Sequence, residues 1–240
     1  MNLKGTTIII TGAARVGQAV ALRLLDHGVS NFALTYYKSI DELDDLPKQL
    51  EKSATVLTKQ VDVSIKDDVE AFIGDVVARF GAIDGLVHLA APFRETKLGY
   101  IEEKDIDFFA HSIYASTLYF AQAVAPRMSD GGSIVIFADR AVIKPYPRYS
   151  AYLAAKGANE TLTRVLAVEL APKIRVNAIL PGPIEPPPDM DKKEIDDIAS
   201  QTLLNRWGGR DEIAKAVVFL LESDFVTGVS LPVDGGIILS

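Results

Sequence analysis

The chain has 240 residues, of which 48% are hydrophobic, enough to bury a substantial core in one α/β domain spanning 1–240. It contains no cysteine, which excludes disulfides and thiolate metal sites and suits an intracellular, cytoplasmic protein. The formal net charge is -7 with no basic block, so nucleic acid is not an expected partner. The apolar runs are short, far below the ~20 residues of a membrane span. The start "MNLKGTTIIITG" runs directly into a strand, so no signal peptide is expected.

Strand-like runs alternate with amphipathic stretches. The pattern predicts strands over Thr6–Ile10, Phe32–Tyr36, Thr55–Val61, Gly85–Leu89, Ser133–Phe137, Arg175–Leu180 and Val229–Val233. It predicts helices over Val16–His27, Asp41–Lys52, Lys66–Phe80, Glu103–Met128, Ser150–Leu170 and Asp211–Leu221. The strands are β-branched and apolar on both faces, as in a parallel sheet covered on both sides. The alternation predicts a single Rossmann-type, doubly wound parallel sheet with helices on both faces. Ligands then bind beyond the carboxyl ends of the strands, which directs attention to polar residues just after each one.

The first such turn reads "TGAARVG". Gly12 permits a tight turn and Gly17 close helix–strand packing, while N–H groups at the helix start face a diphosphate, with Arg15 and Val16 between them. A plain αβ turn is the competing reading. The second strand ends "LTYYKS". An NAD-binding fold usually has an acid here for the ribose 2′-OH, and none occurs. Tyr37, Lys38 and Ser39 instead offer a cation and a hydroxyl suited to a 2′-phosphate, favouring NADPH; the alternative is a surface lysine. In "VDVS" after the third strand, Asp62, beside Val63, either accepts from an adenine amino group or caps a helix.

Phe137–Lys156 reads "FADRAVIKPYPRYSAYLAAK". Tyr152 and Lys156 lie i, i+4 on one helix face. A free phenol ionises near pH ~10, too high for acid–base work at neutral pH, and a nearby ammonium lowers that value. Asp139 ends the fifth strand on the same side of the sheet. It either faces substrate or serves the structure, as a loop cap or as an ion-pair partner of Arg140 or Arg148. Tyr146 and Tyr149 flank prolines near the mouth; either could touch substrate, but they read first as loop packing. The segment 182–208, "GPIEPPPDMDKKEIDDIASQTLLNRWG", is a proline- and acid-rich excursion with a short helix near Glu194–Leu204. It is either a substrate lid or a solvated loop. Trp207 reads as lid or core packing. His27, His88 and His111 show no ligand spacing, so no metal is expected.

Together "TGAARVG", "VDVS", "LVHLAA", "GGSIVIF", "YSAYLAAKGA", "LAVELAPKIRVNAILPG" and "FVTGVSLPVDGG" resemble the short-chain dehydrogenase/reductases over nearly the whole chain. The resemblance implies a nicotinamide cofactor and usually a homotetramer. It implies that Tyr152 moves the proton while Lys156 holds the ribose and lowers the tyrosine pKa. It also places Ala90, Pro181 and Gly182 at the cofactor. Most members have serine where Asp139 stands. Pteridine reductases and dihydromonapterin reductases have aspartate, and "TGAAR", "LTYYKS" and "AAPF" are similar to that group, which implies that Phe93 stacks a pterin ring.

The chain departs from the family pattern in four places. The glycine turn is one residue short, and Leu89 replaces a strand-linking asparagine. Pro186 stands where threonine is usual, leaving the carboxamide contacts to backbone. Ser112 stands for the helix asparagine that holds a proton-relay water. The expected activity is NADPH-dependent reduction of a pterin-like ring C=N. The alternatives are a 3-oxoacyl-type carbonyl reductase and a non-catalytic NADP(H) sensor.

Overall fold

A computed structural model describes residues 1–240. Seven strands form one parallel sheet: β1 Thr7–Thr11, β2 Asn31–Tyr36, β3 Thr55–Gln60, β4 Ile83–His88, β5 Met128–Phe137, β6 Ile174–Pro181 and β7 Ser230–Val233. Their order is β3-β2-β1-β4-β5-β6-β7. The helices are α1 Val16–Asp26, α2 Leu46–Leu50, α3 Lys66–Phe80, α4 Glu103–Phe109, α5 Ser116–Val124, α6 Ser150–Leu170, α7 Lys192–Ser200 and α8 Arg210–Glu222. This is the doubly wound architecture that the alternation predicts.

Strand pleating sends alternate side chains to opposite faces, and both faces are dry. Ile8 and Ile10 of β1 join a core with Val20 and Leu24 of α1 and Val217 and Leu221 of α8. Ile9, between them, joins the opposite core with Phe72 and Ile73 of α3 and Phe120 of α5. Strand order reverses between β1 and β4, which opens the crevice at their carboxyl ends.

Two expected helices are broken. Asp41–Lys52 resolves into a 3-10 turn, Ile40–Leu43, and the short α2. Asp44 adopts φ 48 between them, and Pro47 cannot continue an upstream helix. Glu103–Met128 resolves into α4, a π-helical turn at Ala110–Ala115, α5 and a 3-10 turn containing Pro126. Hydroxyls account for the wide turn. Ser112 Oγ donates to the Phe108 carbonyl, Ser116 Oγ to those of Ser112 and Ile113, and Thr117 Oγ1 to that of Ile113. In the 182–208 excursion the helix starts at Lys192 and stops at Ser200, short of Leu204.

Candidate active site

A cleft of about 690 Å³ runs along the carboxyl ends of β1, β4, β5 and β6. Gly12, Arg15 and Val16 line one end. Asp139, Tyr152, Lys156 and Phe93 line the other, and Pro181 and Gly182, at the end of β6, also border the cleft.

At the first end the Gly12 backbone lies against Ala90, where an added Cβ would sit 2.9 Å from the Ala90 Cα. Gly17 packs onto the Gly12 carbonyl, which a Cβ would meet at 2.8 Å. The shortened turn puts its strain on Arg15, which enters α1 at φ 49. The first turn of α1 carries no acidic side chain, so no carboxylate of the helix itself opposes its dipole at this end of the cleft. The Arg15 guanidinium lies 3.1 Å from Glu185, which also takes both arms of Arg210, at 2.6 and 2.9 Å. The Arg210 bond, then the Arg15 bond, holds the Glu185 carboxyl below its usual range against a modest burial penalty. No local pattern marks Glu185, because its partners are remote in sequence.

Past β2, Tyr37, Lys38 and Ser39 stand together, and their backbone N–H groups all donate to the Glu42 carboxylate, at 3.2, 2.8 and 3.2 Å. Burial opposes its ionisation, but the Lys38, Tyr37 and Ser39 amides hold the Glu42 carboxyl below its usual range. The strand end that reads as acid-free therefore has an acid folded back onto it. Ser39-x-x-Glu42 is a capping-box pattern, the signal that finds it. Asp62 uses one oxygen to accept from the Ser64 N–H and hydroxyl, at 3.0 and 2.6 Å, a turn cap, with Val63 inside that turn.

At the reacting end Tyr152 and Lys156 are buried, 5% and 4% exposed. Asp139 Oδ2 accepts from the Tyr152 hydroxyl at 2.8 Å and from the Tyr146 hydroxyl at 3.4 Å. Its Oδ1 accepts from the Ala141 N–H at 2.8 Å. The aspartate is thus a loop cap as well as a partner of the tyrosines. It is not an ion-pair partner of the neighbouring arginines: Arg148 pairs with Glu95, and Arg140 lies over the Tyr146 ring. The Lys156 ammonium donates to the Phe137 carbonyl at 2.7 Å, and burial, partly offset by Asp139, pulls its pKa down to about 8.

Three expectations need correction. The Tyr152 pKa is on balance raised, not lowered. Burial, then the Asp139 charge and hydrogen bond, raise it well above the ordinary phenol range, and the ammonium lies 5.8 Å from the ring centre. Ser112 lies outside the cleft lining, with its hydroxyl committed to Phe108 inside the π turn. Tyr146 and Tyr149 are cleft walls rather than loop packing alone. Phe93, 61% exposed, stacks on Tyr149 with ring centres 4.8 Å apart and meets Tyr152 edge-on. Its loop is tied down where the Thr96 N–H donates to the Arg148 carbonyl and the Thr96 hydroxyl accepts from the Ala151 N–H.

The excursion closes on itself at its root, where Gly208 and Gly209 donate to the Pro183 and Ile184 carbonyls. Trp207 donates to the Ile195 carbonyl, and Met190, Ile198 and Trp207 itself line the cleft.

The family model described as Enoyl-(Acyl carrier protein) reductase matches residues 12–238. The chain belongs to the short-chain dehydrogenase/reductase family. As such it is a nicotinamide-dependent oxidoreductase. It is 32% identical to the 3-oxoacyl-[acyl-carrier-protein] reductase FabG of Thermotoga maritima, over all of both chains. A short-chain dehydrogenase/reductase of Serratia marcescens superposes with a TM-score of 0.92 at 28% identity, over 99% of this chain and all of that one. FolM alternative dihydrofolate reductase 1 of Brucella canis, complexed with NADP, superposes with a TM-score of 0.91 at 28% identity, over all of this chain and 96% of that one. No helix is long and apolar enough to cross a membrane.

Proposed function

We propose that the chain is an NADPH-dependent reductase acting on a ring C=N bond of a planar, pterin-like substrate. One observation carries this reading: a carboxylate, Asp139, faces the cleft beside the Tyr152 hydroxyl. An ionised carboxylate only accepts hydrogen bonds. It suits a ring edge of N–H and amino groups, and it opposes the negative charge that develops on a ketone oxygen. Phe93 and Tyr149 supply flat aromatic faces alongside. The likeness to the Brucella canis FolM supports the same substrate class and NADP(H).

Bound NADPH supplies the hydride. The chain's residues fit such a cofactor: the start of α1, with Gly12, Arg15 and Val16 in the cleft wall and Gly17 packed behind them, suits the diphosphate, and Lys38, with Tyr37 and Ser39 just past β2 and outside the cleft lining, suits the 2′-phosphate. Asp62 and Val63 take the adenine end. Ala90, Pro181 and Gly182 offer backbone to the nicotinamide end. Lys156 holds the ribose, and Tyr152 gives its proton to the reduced ring. Residues 182–208 act as the lid, and the family's usual homotetramer is part of the proposal.

A second reading, reduction of a 3-oxoacyl-type ketone, is favoured by the Thermotoga maritima relative and by the description of the matching family. Tyr152 and Lys156 serve it equally well. NADPH oxidation with dihydrobiopterin, an acetoacetyl thioester and simple diketones, run in parallel, separates the two. Asp139→Ser is expected to lose the ring reaction and to keep or raise the ketone reaction. A protein that reduces only the thioester, with Asp139→Ser lowering that rate, refutes the pterin-like assignment.

A further inference from the structure

We propose that Tyr146 is a positioning and proton-entry residue, holding Asp139 Oδ2 and passing protons from the cleft mouth through it to Tyr152. The inference rests on the reductase reading above, whichever substrate is reduced, because each turnover takes one proton from Tyr152. That proton has to be replaced from water.

The structure leaves few routes. The Tyr152 hydroxyl has one hydrogen bond, to Asp139 Oδ2. Lys156 is buried and bonded to the Phe137 carbonyl. Ser112 is turned to Phe108, away from the cleft. Of the donors on Asp139, the Ala141 amide cannot relay a proton. The Tyr146 hydroxyl can, and it meets the same oxygen that Tyr152 uses. Tyr146 is half-buried and lines the cleft, and its hydroxyl meets Asp139 there. Its ring is fixed on two sides: the Arg140 guanidinium lies 5.0 Å above its centre, and Tyr149 meets it edge-on at 5.1 Å. The 3.4 Å contact is long for O–H···O, as acid–base contacts often are before substrate tightens them.

The relay balances. Water gives a proton to the Tyr146 oxygen as that hydroxyl's own proton moves to Asp139 Oδ2. Oδ2 hands a proton to Tyr152 as Tyr152 gives its own to the substrate. No heavy-atom bond changes, and all three side chains end as they began. Burial and the Asp139 charge keep both phenols protonated, which suits hydroxyls that pass protons on in concert.

The test compares Tyr146→Phe with Tyr146→Ala in the full-length protein, following NADPH oxidation with dihydrobiopterin and with acetoacetyl thioester. Phenylalanine keeps the ring and lays a dry edge against Asp139. Turnover is expected to fall roughly tenfold or more, with KM and NADPH affinity nearly unchanged. Small buffer acids such as imidazole should restore the rate, and alanine, which admits water, should be the milder change. A merely structural residue gives the reverse order, with no rescue. Tyr146→Phe turnover equal to wild type across the pH range, or alanine worse than phenylalanine without rescue, overturns the proposal. If the wild type turns over neither substrate, the function reading fails separately, and absorbance titration of the tyrosines judges the contact. Asp139→Asn should then lower the titration of two phenols, and of only one in the Tyr146→Phe background. An equal number in both backgrounds overturns the shared contact.

Discussion

Asp139→Asn removes a charge while keeping size, and its consequences can be worked out from the three contacts at this side chain. Asparagine's carbonyl can still accept from the Ala141 N–H, so the loop cap survives. With that carbonyl kept on Ala141, the amide nitrogen faces Tyr152, so the 2.8 Å bond changes from a charge-assisted one that the phenol donates to a neutral one that it accepts. Bonds to charged groups contribute ~1.5–3 kcal/mol and neutral ones ~0.5–1.5 kcal/mol, so the loss is about 1–2 kcal/mol. The Tyr146 contact at 3.4 Å is too long to add much. For a chain of this size that lowers Tm by roughly 2–8 °C. The catalytic effect is expected to be much larger, about 100-fold in turnover, because an amide neither takes nor returns a proton. Thermal unfolding and steady-state NADPH oxidation on the same preparation test both numbers. Full activity, or a variant that unfolds outright, refutes the reasoning: the first removes Asp139 from the chemistry and the second makes it a structural group.

Tyr152→Phe keeps the ring that packs on Phe109 and Phe93 and loses the proton, so turnover should fall at least ~100-fold with NADPH binding unchanged, whereas Lys156→Ala should damage both. Near-normal turnover of Tyr152→Phe would assign the proton to another group. Lys38→Asp should weaken NADPH about tenfold or more and spare NADH, and Glu42→Gln, which removes the negative charge beside Lys38, should strengthen NADPH; binding titrations with both cofactors check this, and tighter NADH than NADPH binding by the wild type refutes it. Lys156 also sets a stability slope, since its folded pKa lies near 8 against 10.5 when exposed. Below pH 8 both states are protonated and the burial penalty is fully present. Between pH 8 and about 10.5 the folded state is neutral while the unfolded state still binds a proton, so stability rises with pH by about 3 kcal/mol relative to Lys156→Met. A flat difference between the two proteins over that range would contradict the burial.

The elements legible in the sequence are those with strong local punctuation. Lys66–Phe80 and Ser150–Leu170 form over the expected spans. The first stops at Gly81, in the left-handed region at φ 81, and the second before Ala171 and Pro172. The helix expected at 103–128 fails because period alone does not register hydroxyls that bond backward to carbonyls and widen a turn. At the site, Asp139, Tyr152, Lys156 and Phe93 follow the carboxyl ends of strands, so the fold itself gathers them. Glu42 was legible only as a capping box, not as an anion laid across three amides. Glu185 and the Tyr146 hydroxyl were not legible, because each finds its role through a contact that only the folded chain creates.

The Tyr-x-x-x-Lys spacing alone describes a tyrosine activated toward phenolate, a base. The folded site describes an acid. Tyr152 is largely buried and donates to a carboxylate, and both facts penalise its ionised form. Its proton can leave only if the negative charge left behind is cancelled at once. The Lys156 ammonium is bonded to the Phe137 carbonyl and lies 5.8 Å from the Tyr152 ring centre, and on the proposed relay a proton arriving through Asp139 restores the hydroxyl as it is lost. A serine at this position would leave the tyrosine without that source but would also remove the charge that holds its proton on. On the proposed mechanism Asp139 turns the same helix face from a group able to take protons at neutral pH into one that gives them, which is the protonic requirement of reduction rather than oxidation. On this reasoning, the oxidative direction should become favourable only well above neutral pH, and Asp139→Ser should move that onset to lower pH.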